Sequence, residues 1–154
     1  MAEFRWAYIG SGGIAKSTAM NIKKGNHRIV SVYSRTYEKA KAFAEKYDAQ
    51  VFTTFEDAVN RDDVDGVYIA TPHTSHVEYA VKAMKKGKPV LCEKPVGVSL
   101  KDVDILINTA KETNTYFCEA MWTWFSPVAL TVKEWVQSGE IGEIKDVVIN
   151  YAFP

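Results

Sequence analysis

The sequence predicts an α/β fold, a doubly wound parallel sheet covered by helices on both faces. Two observations carry that expectation. Short β-branched or apolar runs alternate with helical patterns at least five times along the 154 residues, and such alternation implies parallel strands joined through helices. The first apolar run also ends in the glycine cluster Gly10-Ser11-Gly12-Gly13, where folds of this kind turn from strand into helix.

The elements follow in order. Residues 4–9 are apolar apart from Arg5 and read as a strand. Residues 14–24 carry a helical pattern that Gly25-Asn26 closes. Residues 29–33 (IVSVY) are β-branched and aromatic, which favours a strand. Thr36 stands where it would cap a helix over 37–47, with Ala40, Phe43, Ala44 and Tyr47 on one face. A short strand is expected over 51–53 and a short helix over 55–60. Residues 66–70 read as a buried strand and 77–86 as a helix ended by Gly87. Residues 90–92 form the next strand, and Ser99 caps a helix over 100–112. One more strand is expected over 115–119, then a helix over 127–138 ended by Gly139. Residues 144–153 (IKDVVINYAF) read as a strand that opens a further layer.

Composition narrows the function. With 47% hydrophobic residues, the chain is neither disordered nor fibrous. Nineteen basic residues balance nineteen acidic ones, so the basic surplus of a nucleic-acid binder is missing. No apolar run reaches the roughly 18–20 residues of a membrane span, and no secretory leader is visible at Met1-Ala2-Glu3-Phe4-Arg5. Cys92 and Cys118 are too few for a disulfide framework and are expected as reduced core residues. The expectation is a soluble cytoplasmic protein with a small-molecule partner, and neither nucleic acid nor membrane.

Gly10-Ser11-Gly12-Gly13-Ile14-Ala15 matches G-x-G-x-x-A between a predicted strand and a predicted helix. Gly10 permits a tight turn, Gly12 lets backbone approach a pyrophosphate, and Ala15 is small enough for close helix–strand packing. The helix N-terminus offers unpaired N–H groups and a positive dipole end to the anion. This is the Rossmann arrangement for a dinucleotide. The second strand ends in Ser34-Arg35-Thr36, without the acid that an NAD site places there. Arg35 suits a 2′-phosphate, with Ser34 and Lys39 as further donors, so NADP(H) is expected over NAD(H).

Glu93-Lys94-Pro95 follows the fifth strand. The carboxyl ends of such strands face the ligand crevice, so Lys94 is the candidate catalytic residue, able to donate a proton to a carbonyl being reduced. A solvated surface lysine is the plainer alternative.

With these residues in view, the chain resembles the N-terminal half of the Gfo/Idh/MocA oxidoreductases. The resemblance rests on the Gly10–Ala15 loop, Thr71-Pro72 with His76, Glu93-Lys94-Pro95, and Glu119-Ala120-Met121-Trp122 followed by Phe125 and Pro127. It looks most like the branch of dimeric dihydrodiol dehydrogenase and xylose dehydrogenases. The resemblance implies that Lys94 touches substrate oxygen and cofactor ribose, with a cis bond to Pro95. It implies that Gly10, Ser11, Gly12, Gly13 and Ile14 hold the pyrophosphate. Thr71, Pro72 and His73 would lie along the pyrophosphate and ribose, with His76 beside them. Glu93 would touch the nicotinamide-side ribose, and Trp122 would wall the nicotinamide. Relatives in this branch commonly carry Arg where Trp124 stands.

The resemblance also implies a dinucleotide-binding domain over 1–121 and a truncated start of a substrate and dimerisation domain over 122–154. The longer parent would be a homo-oligomeric dehydrogenase for a sugar, polyol or diol, and the 154 residues alone would be inactive. A non-catalytic NAD(P) sensor is the alternative, since fold alone does not establish catalysis. No metal is expected: His73 and His76 lack a third ligand. Asp62, Asp63 and Asp65 are expected to serve turn geometry, and Lys82, Lys85, Lys86 and Lys88 a solvated helix end. Trp122, Trp124 and Phe125 fit interior packing as readily as a cofactor wall.

Overall fold

A computed structural model describes residues 2–22, 24–150 and 152. Six strands of the described residues form one parallel sheet: β1 (Phe4–Ile9), β2 (His27–Tyr33), β3 (Gln50–Phe52), β4 (Gly66–Ile69), β5 (Val90–Cys92) and β6 (Phe117–Glu119). Their order across the sheet is β3-β2-β1-β4-β5-β6. Helices α1 (Gly13–Ile22), α2 (Tyr37–Ala44), α3 (Phe55–Val59), α4 (His76–Lys85) and α5 (Leu100–Thr113) lie in the five connections. The doubly wound sheet read from the sequence is therefore present, with the strand order of a Rossmann fold. Residues 1–120 form one compact unit and 121–154 a second, which contains α6 (Pro127–Ser138).

Alternation along the strands builds a core on each face of the sheet. Ala7, Ile9, Val67, Ile69, Val90 and Cys92 pack with Phe55, Ala58 and Val59 of α3, Ala80, Ala83 and Met84 of α4, and Leu106 of α5. Tyr8, Val32 and Tyr68 point the other way, to Ala15 and Ala19 of α1 and Ala40, Phe43 and Ala44 of α2. Small residues on the inner faces of α1 and α2 leave room for the two tyrosines, whose rings lie 4.7 Å apart. A bulge between β1 and β2 breaks the alternation: Trp6 is opposite Ile29, whereas Ala7 is opposite Ser31. Ser31 is thereby buried, and its hydroxyl donates to the Ala58 carbonyl at 2.7 Å.

Helix ends follow local chemistry. Ser99 Oγ accepts from the Asp102 N–H, and Asp102 accepts from the Val98 N–H, a reciprocal cap on α5. Asn114 and Gly139 close α5 and α6 in the left-handed conformation. Thr36 occupies the N-cap of α2, but its side chain makes no capping bond, contrary to expectation. The helix also ends at Ala44 rather than Tyr47. The chain turns there through Asp48 at φ 52°, with the Ala49 N–H returning to the Ala44 carbonyl. The predicted first helix ends at Ile22 rather than 24, and Lys23 lies outside the described residues.

The strand expected over 144–153 does not form over 144–150, which are exposed and irregular. A strand needs a partner for its backbone groups, and the second unit holds no other strand among the described residues. Tyr151, Phe153 and Pro154 lie outside the described residues. No helix of the described residues is long and apolar enough to cross a membrane.

Arg5 ties β1 to the loop before β4. Its guanidinium and backbone N–H both donate to the Asp65 carboxylate at 2.8–2.9 Å. The hydrogen bond from Arg5 holds the Asp65 carboxyl below the usual carboxylate range. A carboxyl depressed by folding stabilises the native state above its unfolded value near ~3.9, and that contribution fades as pH falls. Asp65→Asn should lower stability at neutral pH, the gap to wild type closing as denaturation is repeated down to about pH 3.

Candidate functional site

The strands end level with one another. Ile9 is opposite both Tyr33 and Ile69, Ile69 is opposite Cys92, and Cys92 is opposite Glu119. The segments beginning at Gly10, Ser34, Ala70, Glu93 and Ala120 therefore leave from a single edge. Between β1 and β4 the direction of winding reverses, and sheets of this kind bind their ligands in the crevice expected at such a switch point.

Gly10 sits at φ 106°, with its N–H donating to the Tyr33 carbonyl at 2.8 Å. A Cβ there would collide with the Ala70 carbonyl, so the protein itself requires this glycine. Gly12 and Gly13 differ: a Cβ at either would meet nothing within 4 Å. Their bareness serves no contact inside the chain and leaves a cradle open to a ligand. The Lys16 N–H returns to the Gly12 carbonyl, which starts the bonding of α1. The N–H groups before it have no intrahelical acceptor and offer anion donors. Ser11 is nearly buried, Ile14 is exposed, and Ala15 is fully buried against the sheet. The set fits a dinucleotide pyrophosphate.

At the next strand end Ser34 is half-buried, and Arg35 and Lys39 are exposed. Arg35 makes no ion pair among the described residues. It lies close enough to Tyr79 of α4 to oppose the rise of that hydroxyl, which burial and then Tyr33 push up to about 12. The Tyr33 and Tyr79 rings pack edge to face at 6.0 Å beneath this corner.

Past β4, Ser75 Oγ donates to Thr71 Oγ1 at 2.9 Å and lies 2.8 Å from the Pro72 carbonyl, shaping a short 3-10 turn over His73–Ser75. Pro72 and His73 are exposed and Thr71 is half-buried. His76, set beside the cofactor by the resemblance, lies inside the protein. Its ring is fully buried, with Nε2 2.8 Å from the Thr71 carbonyl and Nδ1 2.9 Å from the Pro95 carbonyl. It joins two loops from within the protein. Among the described residues no group of three or more His, Cys, Asp or Glu is placed to hold a metal.

Beyond β5 the chain is irregular and Lys94 is exposed, with no partner for its ammonium among the described residues. The Lys94–Pro95 bond is cis. Around Lys94 the neighbours are held firmly. Tyr68 Oη donates to Glu93 Oε1 at 2.7 Å and lies 2.9 Å from Thr18 Oγ1 on α1. The Val96 N–H donates to Glu119 Oε1 at 3.2 Å. Sequence reasoning missed Thr18, Tyr68 and Glu119 as parts of the site. The available signal was Tyr68 inside an otherwise aliphatic buried strand, since a buried tyrosine hydroxyl needs a partner. Burial pushes the Cys92 thiol up to about 12, as befits an inert core residue. Cys118 is only half-buried, contrary to expectation.

In the second unit, Trp122 opens a 3-10 turn over Trp122–Phe125. Trp122, Trp124 and Phe125 are each more than 60% exposed, so none of them packs into an interior.

The chain is similar to known proteins along nearly its whole length. The family model described as an oxidoreductase family with an NAD-binding Rossmann fold, Gfo/Idh/MocA, matches residues 4–120. A trans-1,2-dihydrobenzene-1,2-diol dehydrogenase of Bos taurus is 30% identical, over 93% of this chain and 44% of its own length. An NADP(+)-linked D-xylose 1-dehydrogenase of Hypocrea jecorina is 32% identical, over 95% of this chain and 42% of its own. Among solved structures, a 3-ketoreductase of Actinomadura kijaniata in complex with NADP and TDP-benzene superposes with a TM-score of 0.83. It is 28% identical, over 93% of this chain and 45% of that one. An NAD-binding protein of Listeria innocua superposes at 0.78 with 29% identity, over 92% and 42%. The chain thus spans less than half the length of these relatives. With the glycine loop, the strand order and the Glu93-Lys94-Pro95 turn in place, the chain belongs to the Gfo/Idh/MocA family of NAD(P)-binding oxidoreductases.

Proposed function

We propose that this chain is the cofactor-binding part of an NADP(H)-linked dehydrogenase acting on a hydroxyl or carbonyl carbon of a sugar, polyol or diol. The observation that carries the reading is the common edge. It sets an anion cradle after β1 and an unpartnered, exposed lysine after β5, with only β4 between those strands. When bound, the nicotinamide cofactor supplies or accepts the hydride.

The chain's own groups do the rest. Ser11, Gly12, Gly13 and Ile14 present backbone donors to the pyrophosphate, past the tight turn that Gly10 permits. Ser34, Arg35 and Lys39 meet the 2′-phosphate, for which Arg35 offers a planar, permanently charged fork. Thr71, Pro72 and His73 line the middle of the cofactor. Glu93, oriented by Tyr68, accepts from the nicotinamide ribose. Lys94 hydrogen-bonds the substrate oxygen. In oxidation its free amine takes up the proton of the hydroxyl and becomes the ammonium, and in reduction the ammonium returns a proton to the nascent alkoxide. The dehydrogenase names of the relatives support the substrate class, and a longer protein would supply the remaining substrate contacts and the oligomer surface. Residues 122–154 are read as the opening of that second domain.

Three measurements test the reading. A fluorescence titration of the 154-residue chain should find NADPH bound more tightly than NADH, and Arg35→Ala should lower NADPH affinity about tenfold while leaving NADH nearly unchanged. Equal affinities in the wild-type chain would remove the NADP preference. Gly10→Ala should cost at least about 2 kcal/mol of stability. Gly12→Ala, with open space around it, should stay within about 0.5 kcal/mol yet weaken NADPH binding. In a full-length enzyme carrying this chain, Lys94→Ala should lower kcat by about 10²–10⁴, and unchanged turnover would take Lys94 out of the chemistry.

A further inference from the structure

We propose that a single peptide group, the link between Pro95 and Val96, is the anchor that aims Lys94 into the crevice, and that His76 and Glu119 are its positioning residues. The proposal rests on the reading of Lys94 given above.

The Pro95 carbonyl lies 2.9 Å from His76 Nδ1, and the Val96 N–H donates to Glu119 Oε1 at 3.2 Å. These are the two poles of one peptide unit, and that unit is planar and stiff. With a partner atom at each pole, from the start of α4 and from the end of β6, its plane is restrained. Lys94 precedes it by one residue, in a stretch without regular structure and with no side-chain partner of its own. Its direction therefore depends on the backbone.

The two holders are themselves fixed. His76 has no exposed surface, and its Nε2 lies 2.8 Å from the Thr71 carbonyl. Its ring is seated between both loops, with one nitrogen facing each carbonyl. Glu119 sits in the ladder, opposite Cys92. Tyr68 holds Glu93 on the other side of Lys94. The lysine is the free member of a segment whose neighbours are all tied. A reacting group displaced by 1 Å can lose roughly a hundredfold in rate, which gives such an anchor its value.

The test uses the 154-residue chain, with Glu119→Ala, which removes the acceptor, and Glu119→Gln, which keeps an acceptor oxygen. Two quantities are read: hydrogen exchange at the Val96 amide, and affinity for NADPH against 2′,5′-ADP, which lacks the nicotinamide half. In Glu119→Ala the Val96 amide should exchange about tenfold faster while amides of β4 keep their protection. NADPH affinity should fall several-fold and 2′,5′-ADP affinity should hold, with Glu119→Gln restoring both readings. Unchanged Val96 exchange, equal loss for both ligands, or a Gln variant as damaged as the Ala variant would overturn the proposal. His76→Leu should give the same ligand split, and equal loss for both ligands would remove His76 from the anchor. Should that variant fail to fold, the Glu119 pair decides. If the wild-type chain bound neither ligand, the cofactor reading would fall, and Val96 exchange alone would decide whether the anchor exists.

Discussion

Parallel pairing is the constraint from which the rest of this structure follows. Parallel strands cannot be joined by a tight turn, because each must be re-entered from its own amino end. Every connection therefore crosses the sheet, and here α1 to α5 lie in those crossings. One consequence is that all segments leaving strands begin on one edge, where Ile9, Tyr33, Ile69, Cys92 and Glu119 stand level. Another is that both faces are covered, so each strand must be apolar on both sides. The pairing that builds the core thus also gathers residues 10, 34, 71, 93 and 119, far apart in the chain, around one crevice.

At that edge the chain divides its work between backbone and side chains. On the proposed reading the loop after β1 binds with backbone, so it must be bare, and its glycines are of two kinds. Gly10 is demanded by the Ala70 carbonyl and a positive φ, whereas Gly12 and Gly13 meet nothing of the protein. The loop after β5 works through a side chain, so it must be aimed. Its neighbours are held by Tyr68, His76 and Glu119, which lie one on each of the strands or helices that border it. A bare loop tolerates some play, since N–H groups pivot with a ligand. An aimed lysine does not.

Much of this was legible in the sequence. Period-2 and period-3.6 patterns locate the strands and helices to within a few residues, because burial on two faces leaves strong apolar signals at residues 66–69 and 90–92. The glycine loop and the Lys94 turn are local motifs and could be read directly. What escaped depends on partners distant in sequence. Tyr68 finds Glu93 twenty-five residues on, His76 finds Pro95 nineteen on, and Glu119 finds Val96 twenty-three back. No periodicity encodes such pairs. His76 is a further case: the resemblance sets it beside the cofactor, and its full burial adds that it ties two loops together. The strand expected over 144–153 shows the converse. Its β-branched pattern is genuine, but a pattern becomes a strand only beside an edge to pair with.

The balanced charge of the chain fits this division of work. A dinucleotide carries several negative charges, and an evenly charged protein offers no broad surface field to attract it. On the proposed reading the loop after β1 meets the pyrophosphate with N–H groups and a helix dipole, which add nothing to the count of lysines and arginines. Formal cations are then needed only where backbone cannot reach or where a proton must move. Arg35 would answer the first need and Lys94 the second, and neither is consumed by an ion pair among the described residues. The other charged residues are free to offset one another, as Arg5 and Asp65, Arg61 and Asp63, and Lys82 and Glu78 do. Net charge reports on partners recognised by a broad surface field. It is silent about an anion held in a cradle of backbone donors, and the function proposed for this chain lies in that second class.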